Sequence, residues 1–182
     1  MLTKKSKPKQ ISIIGCGWLG LPLAKKLMTQ NHNIIGTTTS LDRINELKQA
    51  NIHPILLNIP HQTETNKVLF NVDYLIITLP FKRSFNPPSI YLNQIDWILQ
   101  QTQKHQTKTI IFTSSTSIYE ATNKIVDETT IINPTTPRQK TLYEVEQTIM
   151  ATPNTKYLIL RCAGLYGYDR QIGKFINKKS NQ

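Results

Sequence analysis

Gly15, Gly17 and Gly20 stand between the apolar run Ile11-Ser12-Ile13-Ile14 and a run that opens Leu21-Pro22-Leu23-Ala24. Glycines at this spacing do their chemistry with the backbone. Gly15 permits a tight turn out of a strand, Gly17 leaves no side chain in the path of a pyrophosphate, and Gly20 lets a following helix lie close on a sheet. Free N–H groups near Trp18 and Leu19 then gather at a helix N-terminus, where the helix dipole favours a phosphate, with Cys16 between the first two glycines also counted among the cofactor-binding residues. A dinucleotide is the ligand class that this arrangement takes.

A second group with chemical capacity follows the next apolar run. Thr37-Thr38-Thr39-Ser40 and Arg43 occupy the region, about 20 residues past the glycines, where an NAD site places a carboxylate for the ribose hydroxyls. No carboxylate stands at the end of this run to repel a 2′-phosphate. Hydroxyls and one guanidinium are at hand to hold it. NADP is therefore the expected cofactor, with NAD the alternative. The same residues can also cap a helix, with Ser40 as the N-cap, and the two roles are compatible. Asn58, at the end of the third apolar run, falls where the adenine would lie. A third group is Thr113-Ser114-Ser115-Thr116-Ser117-Ile118-Tyr119. Hydroxyls at the carboxyl end of a central strand border the ligand crevice of an open α/β sheet. They can bind a substrate oxygen or simply cap a turn.

Elements that position these groups are legible from periodicity. Strands are expected over 11–14, 33–37, 52–58, 74–79, 109–113 and 157–161, and helices over 18–30, 41–50, 90–103 and 136–150, with a short helix or turn at Val68 to Phe70. In the first helix Leu19, Leu23 and Leu27 recur at four-residue steps as a core stripe. Tyr74-Leu75-Ile76-Ile77-Thr78-Leu79 is continuously apolar but for one hydroxyl, which suits a strand covered on both faces. Leu142, Val145, Glu146 and Ile149 share helical spacing. Sustained strand–helix alternation without repeats predicts an α/β fold, a doubly wound, mostly parallel sheet of the NAD(P)-binding Rossmann type. One such domain is expected over 10–173, between a basic tail (1–9) and a polar tail (174–182).

The 182 residues carry 22 Lys and Arg against 11 Asp and Glu, a net charge of +11. Such a charge favours anionic ligands. Much of the excess sits at the ends, in Lys4, Lys5, Lys7 and Lys9 and in Lys174, Lys178 and Lys179. The charge is therefore read as solvated tails and not as a nucleic-acid footprint. Cys16 and Cys162 have no metal-ligand spacing, so no metal is expected, and they fit a reducing compartment. The basic start lacks a cleavage site, and the apolar stretch behind it is too short to span a bilayer. A cytoplasmic protein with no membrane partner is expected.

The glycine turn, the Thr-Ser-Ser-Thr-Ser-Ile-Tyr segment and Leu160-Arg161-Cys162-Ala163-Gly164-Leu165-Tyr166-Gly167 together resemble the extended short-chain dehydrogenases/reductases, in particular an atypical NAD(P)-binding, epimerase/dehydratase-like group that begins Gly-Cys-Gly-Trp-Leu-Gly. The resemblance runs from Ile11 to Arg170. It implies that Ser115 is the catalytic serine, that Thr113 and Ser114 line the nicotinamide side, and that Leu79-Pro80 flanks the cofactor. It implies an oxidoreductase or epimerase acting on a small or nucleotide-linked hydroxyl or carbonyl substrate, in a fold that often forms homodimers.

Departures from the family pattern bear on catalysis. The family's Tyr-x-x-x-Lys pair is incomplete in either alignment. Tyr143 is followed four residues on by Gln147, and in the frame fixed by Pro137 and Val145-Glu146 the two positions hold Arg138 and Leu142. Leucine cannot bond a ribose or lower a phenol pKa. Tyr119, Tyr143 and Lys140 are the substitute acids to consider. The chain also ends soon after Tyr166-Gly167, where extended members continue. A non-catalytic dinucleotide-binding protein, acting as a sensor or through a partner, and a truncated form of a longer enzyme are therefore the alternatives.

Overall fold

A computed structural model describes residues 7–59, 67–81, 87–121, 124–167, 169–171 and 173. Most of both expected tails, and Lys82 and Arg83, lie outside the described residues. Six strands alternate with five helices. They are β1 (Gln10–Ile14), α1 (Gly20–Thr29), β2 (Asn33–Thr38), α2 (Asp42–Gln49), β3 (His53–Leu56), α3 (Lys67–Phe70), β4 (Tyr74–Ile77), α4 (Pro88–His105), β5 (Thr109–Ser115), α5 (Pro137–Met150) and β6 (Lys156–Cys162), with a 3-10 turn at Thr116–Ile118 after β5.

Every strand pair is parallel, and the order across the sheet is β3-β2-β1-β4-β5-β6. This is the doubly wound α/β architecture expected from the alternation. Chain direction across the sheet reverses between β1 and β4, so the crevice opens at the carboxyl ends of those two strands. Alternate residues of each strand feed two cores. Ile11 and Ile13 pack with Leu21, Ala24, Leu47 and Ile52 on the α1–α2 side. Ile14, Ile77 and Phe112 pack with Ile95, Ile98 and Val145 on the α4–α5 side.

Local chemistry sets the element ends. Just past α1, α2 and α4, Asn31, Asn51 and Gln106 take left-handed φ of 67°, 57° and 60°. A left-handed residue at this place closes a helix. Thr136 and Gln139 form a reciprocal capping box at the start of α5, and Pro137 occupies its first turn. Both are start signals of a helix. That box fixes where Arg138 and Leu142 lie.

Several expected boundaries move. α1 begins at Gly20 rather than at residue 18, because residues 16–19 form the turn itself. Its buried residues are Gly20, Leu21 and Ala24, while Leu19, Leu23 and Leu27 are half-buried at the margin. The close approach of Gly20 rotates the helix so that its small residues meet the sheet. β5 reaches Ser115, two residues beyond the expected end, paired to β6 throughout. β4 stops at Ile77, because Thr78 turns its hydroxyl onto the glycine loop. β3 is confined to four residues, and α4 is longer than expected at both ends. Ser40 is not the N-cap of α2: Leu41 holds that position, with no side-chain cap, and the Ser40 amide instead donates to Thr38 Oγ1 at 3.1 Å.

Candidate functional site

A cavity of about 690 Å³ lies over the β1–β4 reversal. Its wall includes Gly15, Cys16, Gly17, Trp18 and Leu19 from the first turn, Thr38, Thr39, Ser40 and Arg43 beyond β2, and Asn58 beyond β3. Leu79 and Pro80 after β4 and Thr113, Ser114 and Ser115 on β5 complete the set. Of the residues singled out from the sequence as binding groups, Gly20 alone is missing from that wall. It is buried beneath the turn, where a Cβ would stand 2.4 Å from Gly15 O and 2.8 Å from Thr78 Oγ1.

The turn is built by its neighbours. Gly15 has a φ of 99°, which L side chains rarely adopt. Its amide donates to Thr37 Oγ1 at 2.9 Å, and the Cys16 amide donates to Thr37 O at 2.8 Å. Thr78 Oγ1 donates to Gly15 O at 2.7 Å. Thr37 and Thr78, each at the end of a strand beside β1, therefore hold the loop from both sides. Sequence reasoning did not give them this role. The signal was present for Thr78, a lone hydroxyl in an apolar strand. Gly17 differs from its partners: a Cβ there would meet nothing within 4 Å. The α1 N-terminus has no side-chain cap. Of its first amides, Leu21 N donates to Gly17 O at 3.1 Å, Leu23 N donates to Leu19 O at 3.3 Å and Pro22 has none, so what the helix offers the cavity is the positive end of its dipole. Burial pushes the Cys16 thiol up to about 12, which leaves it protonated and unreactive at neutral pH.

The segment after β6 reaches back to this turn. Trp18 Nε1 donates to Asp169 Oδ1 at 2.7 Å. The Arg170 guanidinium lies 3.9 Å from the centre of the Trp18 ring, within reach of a cation–π contact. Arg170 lines the cavity. At the α2 end, Arg43 Nη1 donates to Cys16 O at 3.3 Å, so its guanidinium lies against the glycine turn.

On the β5 side, Ser115 Oγ accepts from the Ser117 amide at 3.2 Å and caps the 3-10 turn. It lines the cavity as well, so the two readings of the hydroxyl cluster meet in one residue. Ser114 Oγ donates to Glu146 Oε1 at 2.5 Å. Glu146 is fully buried and takes a two-pronged contact from Arg161, Nη2 to Oε2 at 2.8 Å and Nε to Oε2 at 3.1 Å. The carboxylate beside Arg161 pushes that group further up and secures its charge. Arg161 Nη1 in turn donates to the Tyr119 hydroxyl at 2.6 Å, and that hydroxyl donates to Asp127 O at 2.8 Å.

These contacts correct the expected acids. Tyr119, Tyr143 and Lys140 are not among the described residues lining the cavity; Arg138 and Leu142, four apart on α5, are. Tyr119 is turned away by Arg161 and Asp127, and Lys140 is exposed on another face of α5. A phenol that does line the cavity is Tyr91 of α4, whose hydroxyl donates to Leu79 O at 3.2 Å. Burial pushes it up, which keeps the phenol protonated and makes it a weaker acid than a free tyrosine.

The glycine turn with its uncapped helix, the reversal point and the serine-tipped β5 agree with a family-model match over residues 11–182, described as the NAD dependent epimerase/dehydratase family. The chain belongs to that family. Among curated relatives of this epimerase/dehydratase domain, the protein YeeZ of Escherichia coli strain K12 is 35% identical over 176 residues, covering 94% of this chain and 64% of YeeZ. The chain thus spans a little under two thirds of that relative. A conserved protein of unknown function from Silicibacter pomeroyi is 26% identical, with a TM-score of 0.68 over 96% of this chain and 58% of its own. The UDP-glucose 4-epimerase of Thermotoga maritima shares the fold at a TM-score of 0.71 and 20% identity, over 89% of this chain and 57% of its own.

Among the described residues, no helix is long and apolar enough to cross a membrane.

Proposed function

We propose that this epimerase/dehydratase-family domain binds a nicotinamide dinucleotide, prefers NADP, and acts on a small or nucleotide-linked hydroxyl or carbonyl substrate. The observation that carries the reading is Gly17. Nothing among the described residues requires a glycine there, since a Cβ would meet open space, and that space lies at the uncapped N-terminus of α1 inside the large cavity. A pyrophosphate fits it. No carboxylate lines the cavity among the described residues, and the helix dipole with Arg170 supplies positive potential. Gly15 to Leu19 border the phosphates with Gly20 packed beneath them, Asn58 borders the adenine, and Leu79, Pro80, Thr113 and Ser114 border the nicotinamide. When bound, the cofactor supplies reversible hydride transfer. Ser115 bonds the substrate oxygen, and Tyr91 holds a proton at the β4 end.

Preference for NADP is supported by Thr38, Thr39, Ser40 and Arg43, which line the cavity beyond β2. Calorimetry should show NADP binding about tenfold tighter than NAD, and Arg43→Ala should remove most of that difference, since a charge-assisted pair contributes about 1.5–3 kcal/mol. Equal affinities for the two dinucleotides in the unmodified protein would remove the NADP assignment while leaving the phosphate turn intact.

A second reading, a dinucleotide-binding domain without turnover, is favoured by Arg138 and Leu142 standing where the resemblance places tyrosine and lysine. Absorbance of bound NADPH in the presence of carbonyl compounds and sugar nucleotides separates the two: oxidation supports the enzyme, and binding without oxidation supports the alternative.

A further inference from the structure

We infer that Arg170, carried to the glycine turn from beyond β6, binds the pyrophosphate of the dinucleotide directly through its guanidinium. The inference rests on the dinucleotide reading of the cavity and adds to it a phosphate ligand distant in sequence. Among the described lining residues, the formally charged ones are Arg43, Arg138 and Arg170. The first two are committed to the protein. Arg43 Nη1 donates to Cys16 O, and Arg138 donates to Ser117 Oγ and Phe81 O. Arg170 differs. Among the described residues, no acceptor takes a hydrogen bond from its guanidinium and no carboxylate pairs with it. Its side-chain contact is with the Trp18 ring, whose centre is 3.9 Å away. An aromatic face holds a guanidinium through its charge and leaves the N–H donors for an anion.

The backbone places the group. Gly167 N donates to Arg170 O at 3.0 Å and Arg170 N donates to Gly167 O at 2.9 Å. Gly167 has a φ of 134°, which L side chains rarely adopt. Next to this pair, Asp169 Oδ1 accepts from Trp18 Nε1 and ties the segment to the turn. Trp18 follows Gly17 in the chain, so a cation over its ring stands beside the residue whose missing side chain leaves the open space. Asp169 is not among the residues lining the cavity, so its carboxylate is not set against a phosphate there. A long side chain already seated at the site loses less freedom when the ligand arrives. Guanidinium-to-phosphate bonds are charge-assisted and among the stronger ones. The pyrophosphate is common to NAD and NADP, so Arg170 strengthens both alike, whereas the role assigned to Arg43 concerns NADP.

The test titrates NADP, NAD and inorganic pyrophosphate, separately, into the unmodified protein and into Arg170→Gln by calorimetry. The substitution should weaken every ligand that binds by a similar factor, about 10- to 100-fold, and Arg170→Lys should recover part of the loss. The ratio of NADP to NAD affinity should stay as it was. In the unmodified protein, the NMR signals of the Arg170 Nε–H and the Trp18 indole N–H should move together as ligand is added, while the indole N–H of Trp97, packed edge-on against Phe70, stays in place. If neither dinucleotide binds but pyrophosphate does, and its binding depends on Arg170, the proposed function fails and Arg170 keeps its role. Affinities unchanged in Arg170→Gln, a loss confined to NADP, an Arg170 signal left in place, or no binding of any of the three would each overturn the inference. The two signals need no variant, so they decide even if the substitutions unfold the protein.

Discussion

Replacing Gly17 with valine abolishes dinucleotide binding while the protein stays folded. A Cβ at Gly17 meets no atom of the described residues within 4 Å. Valine therefore costs the fold little, and its methyl groups enter the space assigned to the pyrophosphate. The expected loss of affinity is about 100-fold or more, equivalent to about 3 kcal/mol. The thermal transition should move by no more than a few degrees. Gly20→Ala is the matched contrast. Its methyl would stand 2.4 Å from Gly15 O. The helix must then shift from the turn, at a cost of about 1–3 kcal/mol in stability. Calorimetry and thermal unfolding of the two variants side by side check the assignment. Normal cofactor affinity in Gly17→Val would show that the pyrophosphate lies elsewhere.

The second large effect is on stability. Glu146→Ala takes the carboxylate from the half-buried Arg161 guanidinium, which keeps only the Tyr119 hydroxyl among its described hydrogen-bond partners, and leaves Ser114 Oγ without its acceptor. It should destabilise the protein by about 3–5 kcal/mol, the usual cost of breaking a buried pair from one side. For a chain of this size that lowers the midpoint of thermal unfolding by roughly 10 °C. Removing both charges, as Glu146→Leu with Arg161→Met, should recover much of the loss, since the penalty arises from an unpaired charge and not from a missing attraction. A Glu146→Ala midpoint within a degree or two of the parent would mean that the pair contributes nothing. The position matters for function too. Ser114 is the residue before Ser115, so the ion pair ties the strand end that carries the candidate serine to α5 and β6.

The chain's patterning made the sheet legible and left the wiring of the site dark. Strand–helix alternation implied parallel strands, and the glycine spacing located the reversal point, because both are governed by local sequence. Periodicity misread α1, since the helix is turned by a backbone contact at Gly20 and not by its leucines. The ends of β4 and β5 were misjudged because they depend on partners far along the chain: Thr78 leaves its strand to bind Gly15 O, and Ser115 stays in register with Cys162. Glu146 fell on the core face of α5 by spacing, but a buried glutamate does not announce its partner, and Arg161 lay in a motif noted only for its resemblance. Tyr119 looked like an available acid for the same reason. Its hydroxyl is committed by an arginine 42 residues away.

The bond between Trp18 and Asp169 joins residues 151 apart. The glycine turn precedes the other segments of the site along the chain, yet its outer wall is supplied by residues beyond β6. Loop closure over that span costs entropy that local contacts cannot offset, so the clasp forms only after β6 has been laid on β5. The phosphate turn is therefore made before its outer wall, and a nascent chain that has laid down β1 to β5 still presents an unguarded turn.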